Sequence, residues 1–192
     1  MQIERAVLGV ETLGPGKRLG IWVNGCKRRC KGCVSPRLQI PCPENECDVI
    51  EFLSGFNLQK VDGVTISGGE PFDQLTDLKK AVDYFYDNGI KDILIYTGYT
   101  KQELDSRSDE RITEIFKKIA VLIDGPYVIE LDNGKDNLKG SMNQRVLYLN
   151  REVVEKYEQF RKRERSMQEF KFGDYVLAVG IPDKNYIKNF VK

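Results

Sequence analysis

The chain has 192 residues, with Lys+Arg at 30 and Asp+Glu at 29, giving a formal charge of +1. That length fits one domain with a full core, and the charge balance argues against a nucleic-acid groove or a membrane-surface protein. Histidine is absent, which removes the commonest neutral metal ligand and general base.

The opening "MQIERAVLGVETLG" carries Glu4 and Arg5 and has no long apolar core, so it does not read as a secretion signal. No stretch approaches the ~18 uncharged apolar residues of a membrane helix. Five cysteines are an odd number, and three of them crowd too closely to pair easily with one another. A reducing cytoplasm and a metal or cluster suit that pattern better than a disulfide framework.

In chain order, "RLGIWVNG" (18–25) reads as a strand ending in a turn. Segment 43–55 is a weaker helix, with Asp48 and Glu51 as a capping box and Gly55 as its end. "VDGVTISGG" (61–69) is a second strand. "DQLTDLKKAVDYFYDNG" then sets Leu75, Leu78, Val82 and Phe85 on one helical stripe, stopped by Asn88-Gly89. "IKDILIYTG" (90–98) and "IAVLID" (119–124) continue the strands. Between them "SDERITEIFKKI" is a helix with Ile112, Ile115, Phe116 and Ile119 inward and Ser108 as its cap.

The segment "NREVVEKYEQFRKRERSMQEF" (150–170) reads as one charged helix with a thin apolar stripe through Val153, Tyr157 and Phe160. Its basic run, Arg161, Lys162, Arg163 and Arg165, is expected on a solvated face rather than a docking surface. "DYVLAVGIP" (174–182) reads as a last strand. The chain is expected to be a single domain, 1–192, in which 151–192 is a C-terminal extension without an assigned role.

Strand–helix alternation implies an α/β fold with a largely parallel sheet, curled into a partial, open β/α barrel. The units are too few for a closed eight-fold barrel. Cys26, Gly68-Gly69, Gly98 and Asp124-Gly125 each follow a strand, which places them on one rim.

The densest chemistry is Cys26-x3-Cys30-x2-Cys33. Thiolates suit zinc or the irons of an iron–sulfur cluster. A structural zinc site wants four ligands, which here only Cys42 or Cys47 could complete. Three cysteines can instead hold three irons of a 4Fe-4S cluster and leave the fourth open to a substrate. Lys27, Arg28, Arg29 and Lys31 would partly offset the cluster's negative charge, or simply keep the loop soluble. Cys42 and Cys47 are expected to be ordinary reduced cysteines.

"SGGEP" (67–71) offers two glycines that let backbone approach a ligand, and Glu70 can accept from an ammonium. Thr97-Gly98 and Asp124-Gly125 can supply ribose contacts or a cation site, or be plain strand-end turns. Asn143, Gln144 and Arg145 can hold a carboxylate or a peptide, or form a structural network.

These stretches together resemble the radical S-adenosylmethionine (SAM) enzymes, and among them the activating enzymes of glycyl radical enzymes, nearest the activators of anaerobic ribonucleotide reductase. The resemblance rests on "GPGKRLGIWVNGC", the Cys-x3-Cys-x2-Cys spacing, "SGGEP", "YTGYT" (96–100), "DGPY" (124–127) and "GSMNQR" (140–145), and spans about residues 5 to 150. Two positions depart from the broader pattern. Gly32 stands where many radical SAM enzymes carry an aromatic residue against adenine, and Val34-Ser35 stand where an aromatic–Asn pair is expected.

The resemblance implies a 4Fe-4S cluster on Cys26, Cys30 and Cys33. It implies SAM contacts from Gly32, Val34, Ser67, Gly68, Gly69, Glu70, Thr97 and Asp124, with Asn143, Gln144 and Arg145 touching SAM or the partner. The implied reaction is reductive cleavage of SAM and hydrogen abstraction from a glycine of the reductase, with an electron donor such as flavodoxin. The alternatives are a small radical SAM enzyme acting on a metabolite, like 7-carboxy-7-deazaguanine synthase, and a non-enzymatic metal-binding module.

Overall fold

The computed structural model describes residues 1–182. Six strands form one mixed sheet: β1 (Ile3–Val10), β2 (Arg18–Val23), β3 (Gly63–Gly68), β4 (Ile93–Tyr96), β5 (Val121–Asp124) and β6 (Arg145–Tyr148), side by side in chain order. The run β2 to β5 is parallel, while β1 and β6 lie antiparallel on its two edges.

Parallel neighbours need crossovers, and these carry helices α1 (Val49–Ser54), α2 (Leu75–Asp87), α3 (Lys101–Asp105) and α4 (Glu110–Lys118). Because side chains alternate along a strand, Leu19, Ile21 and Val23 of β2 enter the main core with Val64, Ile66, Ile93, Ile95 and Leu122. Leu78, Val82 and Phe85 of α2 and Ile112 and Ile115 of α4 cover them. Phe85 is completely buried, and burying a side chain of that size contributes about 1.5–3 kcal/mol.

The opposite face of the sheet is built differently. At its far end Arg18 is fully buried, yet each of its three nitrogens finds an acceptor. Its Nε donates to Thr65 Oγ1 at 2.7 Å, Nη1 to the Pro15 carbonyl at 3.0 Å, and Nη2 to the carbonyls of Val64 and Asp92 at 2.8 and 3.0 Å. The Asp92 carboxylate also takes Tyr157 Oη at 2.6 Å and Lys156 Nζ at 2.6 Å. Burial alone would push the Asp92 carboxyl up, but Arg18, Lys156 and Tyr157 outweigh it and hold its pKa below the ordinary value.

Tyr157 belongs to α5 (Val154–Arg161), which lays Tyr157 and Phe160 on Leu94, Val121 and Ile123. A hairpin of β7 (Met167–Phe172) and β8 (Tyr175–Gly180) follows, and it seats Val179 and Ile181 on Val7, Val10 and Leu13.

The expected strands and the α2 stripe with its Asn88-Gly89 stop are present. Several boundaries differ. The segment 150–170 is not one helix: α5 stops at Arg161 and Met167–Phe172 is a strand, because Met167, Phe170 and Phe172 find a partner in β8. Its apolar stripe through Val153, Tyr157 and Phe160 packs into the core, and Lys162 and Arg163 are exposed as expected. Within the basic run, Arg161 pairs with Asp136 and Glu158, and the nearly buried Arg165 pairs with Asp132 at 3.0 Å. The last part of that extension, 183–192, lies outside the described residues.

The cap of α4 is Asp109 rather than Ser108, which takes a positive φ of 50° just before it. The weak helix at 43–55 divides into a 3-10 turn and α1. Asp48 caps α1 by accepting from the amides of Ile50 and Glu51. Strands β1 and β6 had no counterpart in the sequence reading. Their antiparallel pairing is confined to the two edges, so the sheet is mainly parallel, as expected.

Candidate metal centre

The loop ends of the parallel strands meet around one cavity. Cys26, Cys30 and Cys33 line it from the loop after β2, Ser67, Gly68, Gly69 and Glu70 from the end of β3, Thr97 and Gly98 from the loop after β4, and Gly125 from the loop after β5. Trp22 and Tyr96, on the sheet face away from α1–α4, line it below, and Val34, Gln144 and Tyr127 line its side.

The cysteine loop is tied down by backbone. Cys26 N donates to Gln39 O at 3.1 Å and Gly25 N to Leu38 O at 2.8 Å. The loop also rests on the glycine motif, since Gly69 N donates to Val23 O at 2.7 Å and Glu70 N to Gly25 O at 2.8 Å. This contact accounts for the glycines. A Cβ on Gly69 would lie 2.2 Å from Gly25 O, and one on Gly68 2.3 Å from Val23 N. At Gly69 the close neighbour is thus the cysteine loop itself, and at Gly68 it is the end of β2.

Side chains complete the anchoring. Asp73 accepts from Lys27 N at 2.9 Å and from Tyr99 Oη at 2.8 Å. Arg28 pairs with Glu103 at 2.8 Å and lies 5.0 Å over the Tyr99 ring. Tyr99 and Glu103 are therefore part of the site's framework, although spacing alone gave them no role. Burial pushes the Cys26 thiol up, only partly offset by the amides of Arg28 and Arg29.

Glu70 is fully buried. Its Oε1 accepts from Phe72 N at 3.0 Å and Thr97 Oγ1 at 2.8 Å, and its Oε2 from Gly98 N at 2.7 Å. Two lone pairs per oxygen leave Oε2 one acceptor position spare. Burial raises the Glu70 pKa to about 7, against the pull of these hydrogen bonds, so an arriving cation would favour its ionised form.

The remaining expected residues are placed as follows. Gly32 does not line the cavity: it has a φ of +73°, and a Cβ there would meet Ile129 Cδ1 at 2.9 Å, which explains the missing aromatic side chain. Asp124 is buried and bound to Arg145 by a bidentate fork, and it also accepts from Lys101 N at 2.7 Å. Asn143 donates to Pro126 O at 2.7 Å. Gln144 takes the amide of Gly140 at 2.8 Å and donates to Gly125 O at 3.1 Å. Of this last group only Gln144 also faces the cavity.

Cys42 and Cys47 lie away from the cavity. Cys42 Sγ contacts Glu44 and Cys47 Sγ contacts Met1 O, each at 3.3 Å. Among the described residues no three His, Cys, Asp or Glu side chains gather tightly enough for a single ion. A four-iron cluster is wider than a single ion, and three cysteines lining one cavity suit that larger group. No helix among the described residues is long and apolar enough to cross a membrane.

Comparison with known proteins agrees with this geometry. The family described as "4Fe-4S single cluster domain" matches residues 12–147. The anaerobic ribonucleoside-triphosphate reductase-activating protein of Salmonella typhi is 31% identical over 145 residues, covering 71% of this chain and 91% of its own length. The protein of the same name from Escherichia coli (strain K12) is 29% identical, with coverage of 71% and 91%. That of Enterobacteria phage T4 is also 29% identical, with coverage of 69% and 85%. The chain belongs to the 4Fe-4S single cluster domain family and, within it, to the anaerobic ribonucleoside-triphosphate reductase-activating proteins.

Proposed function

We propose that this chain is a radical SAM activating enzyme, which reductively cleaves SAM at a 4Fe-4S cluster and generates a glycyl radical on an anaerobic ribonucleoside-triphosphate reductase. The observation that carries the reading is the single cavity shared by Cys26, Cys30 and Cys33 with Gly68, Gly69 and Glu70, from which Cys42 and Cys47 are absent. Three thiols without a fourth suit a cluster that binds a small molecule. The names of the relatives specify the reductase as what those proteins activate.

Bound in this cavity, the cluster would supply one electron that splits SAM into methionine and a 5′-deoxyadenosyl radical, which then takes the Cα hydrogen of a glycine. The chain's own contribution is placement. Cys26, Cys30 and Cys33 would hold the cluster, and Arg28, fixed by Glu103, would offset part of the thiolates' charge. The spare acceptor position on Glu70 Oε2 would take the SAM ammonium, a charge-assisted contact strengthened by burial. Ser67, Thr97, Val34 and Gln144 would contact the rest of the cofactor.

No step calls for a general base, so the absence of histidine is no obstacle. The parallel run of strands, with α1–α4 on one face and the cavity on the other beside α5, would act as an open β/α barrel that admits a partner's peptide from the side. All 192 residues would work as one domain in a reducing cytoplasm, with a small donor such as flavodoxin supplying the electron.

The test is electron paramagnetic resonance on anaerobically reconstituted protein with reductant, SAM and the reductase. A glycyl doublet is expected, and Cys30→Ala should abolish both it and SAM cleavage. SAM cleavage without a doublet would favour a metabolite substrate. Failure to form any iron–sulfur absorbance would overturn the reading entirely.

A further inference from the structure

The cysteine loop has two faces. Cys26, Cys30 and Cys33 line the cavity, whereas Lys27, Arg29, Lys31 and Arg37 do not line it and are exposed. The thiols thus stand on the loop's inner face and these cations on its outer one. Arg37 belongs to the same surface, because the carbonyls of its neighbours Leu38 and Gln39 accept the amides of Gly25 and Cys26 at 2.8 and 3.1 Å.

Charge is concentrated here. With Arg28, the segment 26–43 carries five cations and no Asp or Glu, in a chain whose total is +1. Other surface cations are matched: Lys79 and Lys118 share Asp83, Lys101 pairs with Asp105, and Arg111 with Asp109. Among the described residues Lys27, Arg29, Lys31 and Arg37 pair with no carboxylate. Like charges crowded in one loop repel one another, and scattered charge would serve solubility equally well. Of the five, only Arg28 faces the cavity, where a cluster would meet it. The other four face outward, toward whatever approaches from solvent.

An approaching partner must then be anionic, and must reach the cluster without using the cavity. SAM and the glycine of the reductase both need the cavity itself. An electron donor needs only to come close to the cluster across the loop. Electron-transfer complexes bury little surface, and opposite charge speeds their formation. Ile40, 59% exposed and bonded through its amide to Arg37 O, adds an apolar contact next to the cations.

Resting on the reading above, we propose that the outer face of the cysteine loop, formed by Lys27, Arg29, Lys31 and Arg37, is the docking surface for a small electron-donor protein with an acidic face. A flavodoxin in its anionic hydroquinone form would give up one electron there and leave as the neutral semiquinone. That electron takes the cluster from its 2+ to its 1+ state, and no proton or other group moves.

The experiment uses the full-length, reconstituted protein and two double variants. Lys31→Glu with Arg37→Glu reverses the patch. Lys162→Glu with Arg163→Glu makes the same change of net charge at exposed positions just past α5. The probe is a flavodoxin of net negative charge, its binding measured by titration calorimetry, with reductase binding followed by sedimentation. Cluster reduction is followed by absorbance, once with flavodoxin hydroquinone and once with photoreduced deazaflavin, a small reductant that needs no docking.

At low salt the patch variant should bind flavodoxin about tenfold more weakly and be reduced by it more slowly, while the control variant changes by less than about twofold. The difference should shrink as salt rises from about 0.01 to about 0.15 M, over which the reach of an exposed charge falls from about 30 to about 8 Å. Deazaflavin should reduce all three proteins alike. Undiminished flavodoxin binding by the patch variant would overturn the proposal, as would an equal loss in the control variant or a loss of reductase binding instead. Slower reduction by deazaflavin would mean an altered cluster rather than lost docking, and would overturn it too. If the unmutated protein forms no cluster, the activating-enzyme reading fails and this inference with it. A cluster that forms and cleaves SAM, while flavodoxin ignores the patch, sinks the docking surface alone.

Discussion

Glu70 Oε2 accepts the amide of Gly98 at 2.7 Å, a bond between the ends of two adjacent parallel strands made inside the cavity wall. The same carboxylate takes Thr97 and the Phe72 amide, so one side chain sets the spacing of the β3 and β4 loops. A glutamate chosen only to meet a ligand would not need to be fully buried under three donors. Here it supports the rim and still keeps one acceptor position for a cation.

Glu70→Gln tests both roles. The amide keeps the shape, but its NH2 end cannot accept from Gly98 N. Leaving that donor unmet should cost about 1–3 kcal/mol, read as a lower melting temperature of the cluster-free protein. SAM affinity should fall at least tenfold, since a neutral amide no longer attracts the ammonium. Unchanged values in both measurements would remove Glu70 from the site.

Gly69→Ala addresses the contact between the glycine motif and the cysteine loop. The added methyl would lie 2.2 Å from Gly25 O and 2.7 Å from Leu38 O, both backbone atoms that hold the loop. The loop must move, and iron bound per chain after reconstitution should drop several-fold. Gly134→Ala is the control: its φ of +70° makes alanine strained, but nothing lies within 4 Å of the new methyl. It should cost only about 1 kcal/mol and leave iron content alone.

What the sequence revealed and what it concealed follow from the range of the interactions. The Cys-x3-Cys-x2-Cys loop and "SGGEP" were legible because each is local and its residue types are demanding. Their union at one rim was also legible, since strand ends in a parallel sheet share a side. By contrast, the Arg18–Asp92–Tyr157 network joins residues 65 and 74 positions apart, and no local pattern announces it. The hairpin was hidden for another reason. Charged residues run on from α5 at helical spacing, while the pairing of Met167–Phe172 depends on a strand further along the chain. Asp124 and Arg145 look like ligands in sequence but neutralise each other across β5 and β6.

The Asp92 carboxylate makes the fold sensitive to acid. Its folded pKa is held below the unfolded value of about 3.9, so the folded state binds fewer protons than the unfolded one in that region. Its contribution to stability is therefore fully present above the unfolded value and disappears as pH falls through the folded one. Asp92→Asn leaves Arg18 buried without its countercharge, a change that costs about 3–5 kcal/mol when such a pair is broken. Melting temperatures of the two proteins should differ widely at pH 7 and converge below about pH 4. A gap that stays constant down to pH 3 would show that the charge of Asp92 is not what matters.

The same network decides what the C-terminal extension does for the fold. Tyr157 and Phe160 are 0% and 2% exposed and pack on Leu94, Val121 and Ile123 of the central strands. Tyr157 also fills one of the acceptor positions of Asp92. Tyr157→Ala should lower stability by about 3–5 kcal/mol, as for a large aromatic residue removed from a core, with Tyr157→Phe losing only about 1 kcal/mol for the hydrogen bond. Removing everything after Asn150 would strip the second face of the sheet from Leu94 to Ile123. That truncation should give a protein without a cooperative melt, rather than a folded enzyme with weakened partner binding. Calorimetry on the truncated chain decides the matter: a sharp transition near that of the full chain would mean that the sheet folds without α5.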